Sequence, residues 1–225
     1  MKTELLLDAD DTLYDFAKTE EYAISRLFSI LGLEVSKDNL DRYHAANDRC
    51  WEEFEKGIIT IDELKPARFS RFFESIGLDE DPQKASDDYI QFLSECGALM
   101  EGAEDFVEKA GAKYNLHIVT NGIAKTQWGR FERSGLLGKF SNVFISEEIG
   151  YAKPDRMFFE YVIDRIGKDR SQMVVIGDRE KSDIQGAVNA GLDSILLSLR
   201  KKETSKLATY SASSYAEVLE ILERM

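Results

Sequence analysis

A short apolar segment near the start of the chain runs directly into a group of carboxylates. Residues 4–7 (Glu-Leu-Leu-Leu) have the pattern of a strand buried in a parallel sheet, and Asp8, Asp10 and Asp11 follow at once. Because unpaired buried charge is costly, the carboxyl end of this strand must lie outside the core. Ligands of open α/β sheets bind at the carboxyl ends of the strands. The segment therefore predicts an α/β fold whose functional site begins at Asp8.

Asp8 and Asp10 can both reach one small volume if the chain turns directly after the strand. Such a crowded acidic site needs a cation, and carboxylates suit the oxygen-binding Mg²⁺ ion. For the Asp-x-Asp pattern alone, an Asp-rich turn without function is the alternative. The longer pattern, an apolar strand followed by Asp-Ala-Asp-Asp-Thr-Leu, resembles the first motif of the haloacid dehalogenase superfamily, whose members are mostly Mg²⁺-dependent phosphatases. The resemblance implies that Asp8 attacks phosphorus and that Asp10 is a general acid and base.

The acidic composition limits the classes of partner. The chain has 29 Lys and Arg against 42 Asp and Glu, so its formal net charge at pH 7 is −13. Binding to nucleic acid depends on the neutralisation of phosphates by Lys and Arg, so we expect no nucleic-acid polymer as a partner. The same negative field would repel a phosphate ester. A site that hydrolyses a phosphate ester would therefore need a local positive centre, such as a metal ion with one lysine.

Length and cysteine usage set further expectations. A chain of 225 residues can form one main core with a smaller insertion, as a monomer or in a small homo-oligomer. There is no apolar run long enough to cross a membrane. The first strand begins so near residue 1 that we expect no signal peptide. Cys50 and Cys96 are too few for a disulfide framework, so we expect reduced thiols in a cytoplasmic protein.

The region after the first strand has helical rather than strand periodicity. Ile24, Leu27, Phe28 and Leu31 fall on one face of a helix, and Gly and Pro separate this segment from three further helical stretches. This all-helical block resembles the cap that superfamily members carry between their first and second motifs. The resemblance implies a cap domain of residues 16–100 and a core domain of residues 1–15 and 101–225. The predicted helices cover about residues 17–31, 37–56, 61–75 and 82–95.

Three aromatic residues of this block are candidates for substrate contact. A cap closes over the site, excludes water and contacts the substrate, so specificity is expected there. Phe16, Trp51 and Phe54 are the aromatics that we expect near a substrate base or sugar. The alternative is that they form the core of the small bundle, as aromatics at helical spacing commonly do.

Polar residues also follow the later strands. The predicted strand at residues 116–119 ends in Thr120-Asn121-Gly122, whose polar groups can hydrogen-bond phosphate oxygens at the start of a helix. Its position resembles the second motif, with Thr120 and Asn121 as phosphate ligands. Lys153 precedes Pro154 at the start of another helix and resembles the lysine of the third motif. There it would neutralise charge on the nucleophile and on the transferred phosphoryl group.

A third acidic group follows the predicted strand at residues 172–176. The Gly177-Asp178 pair and the Asp183 that follows resemble the fourth motif, which implies that Asp178 ligates Mg²⁺. Asp183 would be an outer ligand, or would orient Asp178 or Lys153. Ser182 and Gln185 have the spacing of a capping box, which predicts a helix start at Ser182 with Val188 on its buried face. Arg179 departs from the motif and could contact phosphate or the acidic cluster.

The predicted fold is a Rossmann-like parallel sheet flanked by helices, with an inserted all-helical cap. Strands at residues 4–7, 116–119, 142–146, 172–176 and 193–198 make up the sheet, and a helix at about residues 215–223 closes the chain.

The implied activity is hydrolysis of a small phosphomonoester through an aspartyl-phosphate, with Mg²⁺ held by Asp8, Asp10, Asp178 and Asp183. Residues 8–16, residues 51–60 and Arg68-Phe69 resemble the pyrimidine 5'-nucleotidase branch, which implies a nucleoside monophosphate as substrate. A sugar-phosphate phosphatase or a phosphoglucomutase is the enzymatic alternative, and a non-catalytic protein that binds phosphate ligands is the alternative of another class. Dehalogenation is disfavoured, because departing halide needs no proton from a second acid such as Asp10.

Overall fold

One sheet of parallel strands forms the centre of the molecule. The computed structural model describes residues 1–225. Six strands pair in it: β1 (Glu4–Leu7), β2 (Asn115–Thr120), β3 (Asn142–Ile145), β4 (Met173–Gly177), β5 (Asp193–Leu197) and β6 (Tyr210–Ala212). Their order across the sheet is β3-β2-β1-β4-β5-β6, which places β1 between β2 and β4. The register sets Leu7 beside Ile118 and Ile176, so the residues that follow these three strands meet at one edge.

Four helices follow β1 before the next strand begins. They are α1 (Phe16–Ile30), α2 (Lys37–Glu55), α3 (Ile61–Ile76) and α4 (Pro82–Ser94), and we call them together the helical cap. Thirteen buried residues of α1 to α4, among them Phe28, Phe69, Phe72 and Tyr89, form a hydrophobic core separate from that of the sheet. Thr60 and Glu63 form a capping box at the start of α3, which explains why that helix begins at Ile61.

The remaining helices cover both faces of the sheet. They are α5 (Ala103–Gly111), α6 (Ala124–Ser134), α7 (Ser146–Ile149), α8 (Arg156–Ile166), α9 (Gln185–Ala190) and α10 (Tyr215–Leu222). Leu5 and Leu7 pack in the larger core with residues of α5 and α10. Leu6 points to the other face and packs in the smaller core with residues of α8 and α9. This burial on both sides explains why β1 is apolar without alternation, and the α/β fold predicted from the sequence is confirmed.

Two local predictions were wrong. Residues Glu180–Ile184 form a π-helical turn, and the α-helix begins only at Gln185, so Ser182 is not an N-cap. The helical hydrogen bonds begin earlier, at the carbonyl of Arg179, which accepts from the N–H of Asp183 at 2.9 Å, so Ser182 lies inside the turn and not at its start. Val188, expected on the buried face, is 45% exposed. None of the helices is both long and apolar enough to cross a membrane.

Candidate active site at the carboxyl edge of the sheet

A buried lysine joins two carboxylates where β1 and β4 end. The Nζ atom of Lys153 donates to Oδ1 of Asp8 at 2.6 Å, to Oδ1 of Asp183 at 2.6 Å and to the carbonyl of Val119 at 2.8 Å. All three charged side chains are less than a tenth exposed. Burial by itself lowers the pKa of Lys153, but the two carboxylates outweigh it and hold the lysine pKa above its usual value. The lysine is therefore a fixed positive charge beside Asp8.

An amide side chain determines where this lysine lies. Nδ2 of Asn121 donates to the carbonyl of Lys153 at 2.8 Å, and the N–H of Lys153 donates back to Oδ1 of Asn121 at 2.8 Å. Both polar atoms of the Asn121 side chain are thus used on the Lys153 backbone. In the structure these contacts tie Asn121 to the segment that carries Lys153, and the role of Asn121 as a phosphate ligand, expected from the sequence, stays a prediction.

The acidic side chains at this edge form a group that fits a divalent cation. One carboxylate oxygen each of Asp8, Asp178 and Asp183 lies within 4.8 Å of the others. Oδ1 of Asp178 is buried and has no hydrogen-bond partner. Oxygen ligands with an unpaired buried carboxylate are the donor set that Mg²⁺ takes in proteins. The residues present therefore fit a magnesium ion, held most directly by Asp178 and Asp8.

The raised pKa values of Asp178 and Asp8 reflect the same crowding of carboxylates. Burial, together with the charges of Asp8 and Asp183, raises the pKa of Asp178 to about 9. Burial likewise raises the pKa of Asp8 to about 7, although the neighbouring charge of Lys153 opposes this shift. A carboxylate that resists ionisation in this way gains most from a bound cation, since the cation offsets both burial and mutual repulsion.

Asp183 is held between the lysine and a backbone amide. Its Oδ1 accepts from Lys153 and its Oδ2 from the N–H of Arg179. Gly177 makes room for this arrangement, because a Cβ atom there would lie 2.4 Å from the carboxylate of Asp183. Both oxygens of Asp183 are engaged, which agrees with its expected role in orienting Lys153.

The carboxylate of Asp10 contacts two side chains of α6. It accepts a hydrogen bond from Nε2 of Gln127 at 2.8 Å and forms an ion pair with Arg130. Gln127 and Arg130 lie one turn apart on α6 and are 1% and 0% exposed. A direct bond from the Asp10 carboxylate to the metal, expected from the sequence, stays a prediction.

The hydroxyl of Thr120 lies at the end of β2, where the sequence suggested a phosphate ligand. Its Oγ1 accepts from the N–H of Gly122 at 3.0 Å, and Nε2 of Gln127 lies 3.4 Å away. Thr120 is 1% exposed. The hydroxyl proton is not used in either contact, so it can be donated to a ligand oxygen.

The helical cap places one end of α2 over this edge. Glu55, at the end of α2, forms an ion pair with Arg179 at 3.0 Å, directly beside Asp178. Trp51 and Phe54 precede it, are partly exposed, and meet edge to face at 5.7 Å between ring centroids. Neither packs into the hydrophobic core of the cap, whereas Phe16 does so at its margin. The arginine that the sequence left open therefore contacts an acidic residue of the cap.

Sequence reasoning missed Gln127 and Arg130. A signal was present: the two polar residues stand three apart on the helix that follows Thr120-Asn121-Gly122, so they share one helix face. Nothing in the sequence showed that this face points to Asp10, because the contact joins residues 120 positions apart.

Comparison with known proteins places the chain among hydrolases. A family model described as haloacid dehalogenase-like hydrolase matches residues 5–191. Pyrimidine 5'-nucleotidase PynA of Streptococcus pneumoniae is 35% identical over 98% of this chain and 94% of its own. Pyrimidine 5'-nucleotidase YjjG of Escherichia coli is 30% identical over 97% of this chain and 96% of its own.

A solved structure has the same fold along its whole length. The crystal structure of the HAD-hydrolase YfnB of Bacillus subtilis, bound to magnesium, has a TM-score of 0.91 and 33% identity, with 98% of each chain covered. The family match, these near full-length similarities and the carboxylates and lysine gathered at the carboxyl edge of the sheet all agree. The chain belongs to the haloacid dehalogenase-like hydrolases.

Proposed function

We propose that this chain is a Mg²⁺-dependent phosphomonoesterase that acts through an aspartyl-phosphate on pyrimidine nucleoside monophosphates. The observation that carries the proposal is the Asp8 carboxylate, which is buried, held through Oδ1 by Lys153, and adjacent to the unpartnered Oδ1 of Asp178. A carboxylate fixed in this way presents its second oxygen, Oδ2, to a substrate in one orientation.

The chemistry then follows from the named side chains. Oδ2 of Asp8 attacks phosphorus, the bond to the ester oxygen breaks, and Asp10 gives its proton to the departing alkoxide. Asp10 next takes a proton from the water that hydrolyses the aspartyl-phosphate, which frees Asp8 and releases phosphate. Lys153 and the hydroxyl of Thr120 offset charge on the phosphoryl oxygens during both steps.

The metal would be held by Asp8 and Asp178, with Asp183 behind them. When bound, Mg²⁺ neutralises the acidic cluster and the phosphoryl charge, so that an anionic substrate can enter a protein of net charge −13.

The substrate class rests on the relatives and on the cap. PynA and YjjG are both named pyrimidine 5'-nucleotidases and match this chain over the cap as well as over the sheet. Trp51 and Phe54 stand one turn or less from Glu55, whose partner Arg179 adjoins Asp178. We propose that these aromatics stack on the base or sugar of the substrate.

The test is phosphate release from a panel of nucleoside monophosphates and sugar phosphates, with Mg²⁺ and with EDTA. We expect metal-dependent release concentrated on pyrimidine nucleotides, no turnover for Asp8→Asn, and a loss of about 100-fold for Asp10→Asn. Release confined to sugar phosphates would replace the nucleotidase proposal by the sugar-phosphatase alternative. Binding of nucleotides without release from any substrate, including an aryl phosphate, would instead support a non-catalytic protein.

A further inference from the structure

The environment of Asp10 contains a buried arginine that the reaction above does not use. Arg130 is 0% exposed, and apart from its ion pair with Asp10 its guanidinium has no partner at Nε or Nη2. Removing an arginine from water without satisfying its donors is costly. The Asp10 carboxylate is therefore the only charged partner of the Arg130 guanidinium, whose burial is otherwise unfavourable.

Aromatic rings hold this guanidinium in place. Its Cζ atom lies 5.1 Å from the ring centroid of Tyr14 and 5.9 Å from that of Phe16. Tyr14 is itself fixed, because its hydroxyl lies 3.0 Å from Oγ of Ser134. The planar guanidinium of Arg130 thus packs between the ring of Tyr14, which precedes α1, and that of Phe16, the first residue of α1.

A second donor on the same helix acts on the same carboxylate. Nε2 of Gln127 donates to Oδ2 of Asp10 at 2.8 Å, while Arg130 contacts Oδ1. The two oxygens of Asp10 are therefore each assigned to one side chain of α6. Such a two-point contact fixes the plane of a carboxylate, which a single contact does not.

We propose that Arg130, with Gln127, is a positioning residue for Asp10: it fixes the carboxylate from which the leaving oxygen receives its proton. This inference rests on the proposed role of Asp10 as proton donor. The effect of Arg130 on catalysis is then exerted through Asp10 and not through substrate binding. Phe16, whose contact with a substrate stays a prediction, lies with its ring near this arginine.

The test compares two substrates that differ in how much they need a proton donor. The leaving group of an alkyl phosphate such as a nucleoside monophosphate is a basic alkoxide, which needs the proton. The leaving group of p-nitrophenyl phosphate is a stabilised phenolate, which needs it little. For Arg130→Met we expect kcat on the nucleotide to fall by about 100-fold, with KM little changed, and kcat on the aryl phosphate to fall only a few-fold.

Three further variants separate positioning from folding. Arg133→Met makes the same substitution one turn away on the exposed side of α6 and should leave both activities unchanged. Adding Arg130→Met to Asp10→Asn should cause no further selective loss on the nucleotide, because the group through which it acts is gone. Gly122→Ala places a Cβ atom 1.9 Å from Nε2 of Gln127, which must swing away from Asp10, and should show the same substrate pattern in a smaller degree.

The outcomes distinguish this inference from the proposed function. Equal losses on both substrates for Arg130→Met and Gly122→Ala, or additive losses with Asp10→Asn, would overturn the positioning role. If Asp10→Asn itself shows no preference for the aryl phosphate, Asp10 is not the proton donor and both claims fail. If Asp10→Asn is selective and neither Arg130→Met nor Gly122→Ala is, only the role of Arg130 is wrong. Should Arg130→Met not fold, Arg130→Lys decides, because it keeps the positive charge but loses the planar guanidinium: a selective loss on the nucleotide supports the positioning role, and equal losses on both substrates overturn it.

Discussion

At the scale of single residues, the candidate site depends on side chains that hold one another in place. Asn121 uses both of its polar side-chain atoms on the backbone of Lys153, at 2.8 Å each. Lys153 in turn reaches Asp8 and Asp183 through one nitrogen. A short series of hydrogen bonds therefore connects the end of β2 to Asp8, the nucleophile that we propose, and we expect a small displacement along it to lower the rate.

Asn121→Ala should lower kcat by about 10- to 100-fold with little change in KM, because Lys153 loses the two hydrogen bonds that place it. Steady-state kinetics on the best nucleotide measures the effect. Asn189→Ala is the matched control: Asn189 is exposed and donates to the carbonyl of the adjacent Pro154 at 2.9 Å. Equal losses in the two variants would show that the Asn121 pair has no special part in placing the lysine.

The acidic cluster predicts an unusual dependence of stability on pH in the metal-free protein. The pKa of Asp178 is raised from 3.8 to about 9 in the folded state, so between these values the folded state binds more protons than the unfolded state. The free energy of unfolding of the metal-free protein should therefore decrease as pH rises through this window. Mg²⁺ should restore it, since the cation binds the ionised folded form.

Asp178→Asn tests this directly by thermal unfolding at pH 8, with EDTA and with Mg²⁺. We expect a higher melting temperature than the wild type in EDTA, because at pH 8 the wild type must take up a proton at Asp178 to fold, whereas Asn is uncharged in both states. We also expect a much smaller increase on adding Mg²⁺. A variant that melts lower than the wild type in EDTA, or that keeps the full Mg²⁺ response, would contradict the assignment of Asp178 to the metal.

At the scale of elements, the approach of one turn to one strand completes the site. The turn after β4 brings Asp183 back against Gly177, where its carboxylate meets both Lys153 and the N–H of Arg179. Helical hydrogen bonds begin at the carbonyl of Arg179, so a π-helical turn occupies Ser182 and α9 follows it. Close packing of Gly177 against the Asp183 carboxylate therefore links the end of β4 to Lys153.

Gly177→Ala should displace the Asp183 carboxylate, since the new Cβ atom would lie 2.4 Å from it. We expect kcat to fall by about 10- to 100-fold and unfolding to become easier by about 1–3 kcal/mol. Kinetics and urea unfolding measure the two effects. Gly111→Ala is the control, because its Cβ would make an ordinary 3.6 Å contact with Leu116, and it should change stability by no more than about 1 kcal/mol.

At the scale of the whole molecule, ion pairs join the helical cap to the rest of the chain on two sides of the site. Glu55 of α2 pairs with Arg179 at 3.0 Å, and Lys65 of α3 pairs with Glu147 of α7 at 2.5 Å. We propose that these ion pairs favour a closed arrangement in which water is excluded during the reaction.

Glu55→Gln should raise KM by about 2- to 5-fold, the range expected when a partly exposed ion pair is lost, and should make KM less sensitive to salt. Measuring KM at low and high ionic strength checks this. Asp41→Asn removes the exposed pair with Lys37 on the outer surface of the cap and should leave KM unchanged. An identical salt dependence in the wild type and in Glu55→Gln would exclude Glu55 as a contact that favours closure.

Much of the architecture followed from local pattern. The spacing of hydrophobic residues predicted the apolar strands and the four helices of the cap, and chain order predicted the acidic residues after β1. The predicted fold and family are confirmed. The start of this helical segment was mispredicted, because its hydrogen bonds begin at the carbonyl of Arg179, three residues before Ser182. The spacing of Ser182 and Gln185 alone did not show this.

The sequence by itself determined which residues stand at the ends of the strands, because chain order and hydrophobic period place Asp8, Thr120 and Asp178 there. Only the tertiary structure decided what each side chain faces. The Asn121 side chain hydrogen-bonds to the backbone of Lys153, and the Asp10 carboxylate forms an ion pair with Arg130, 120 positions away in the sequence. The physical reason is that hydrogen bonds and ion pairs act over a few ångströms, so their partners are chosen by the packing of whole elements.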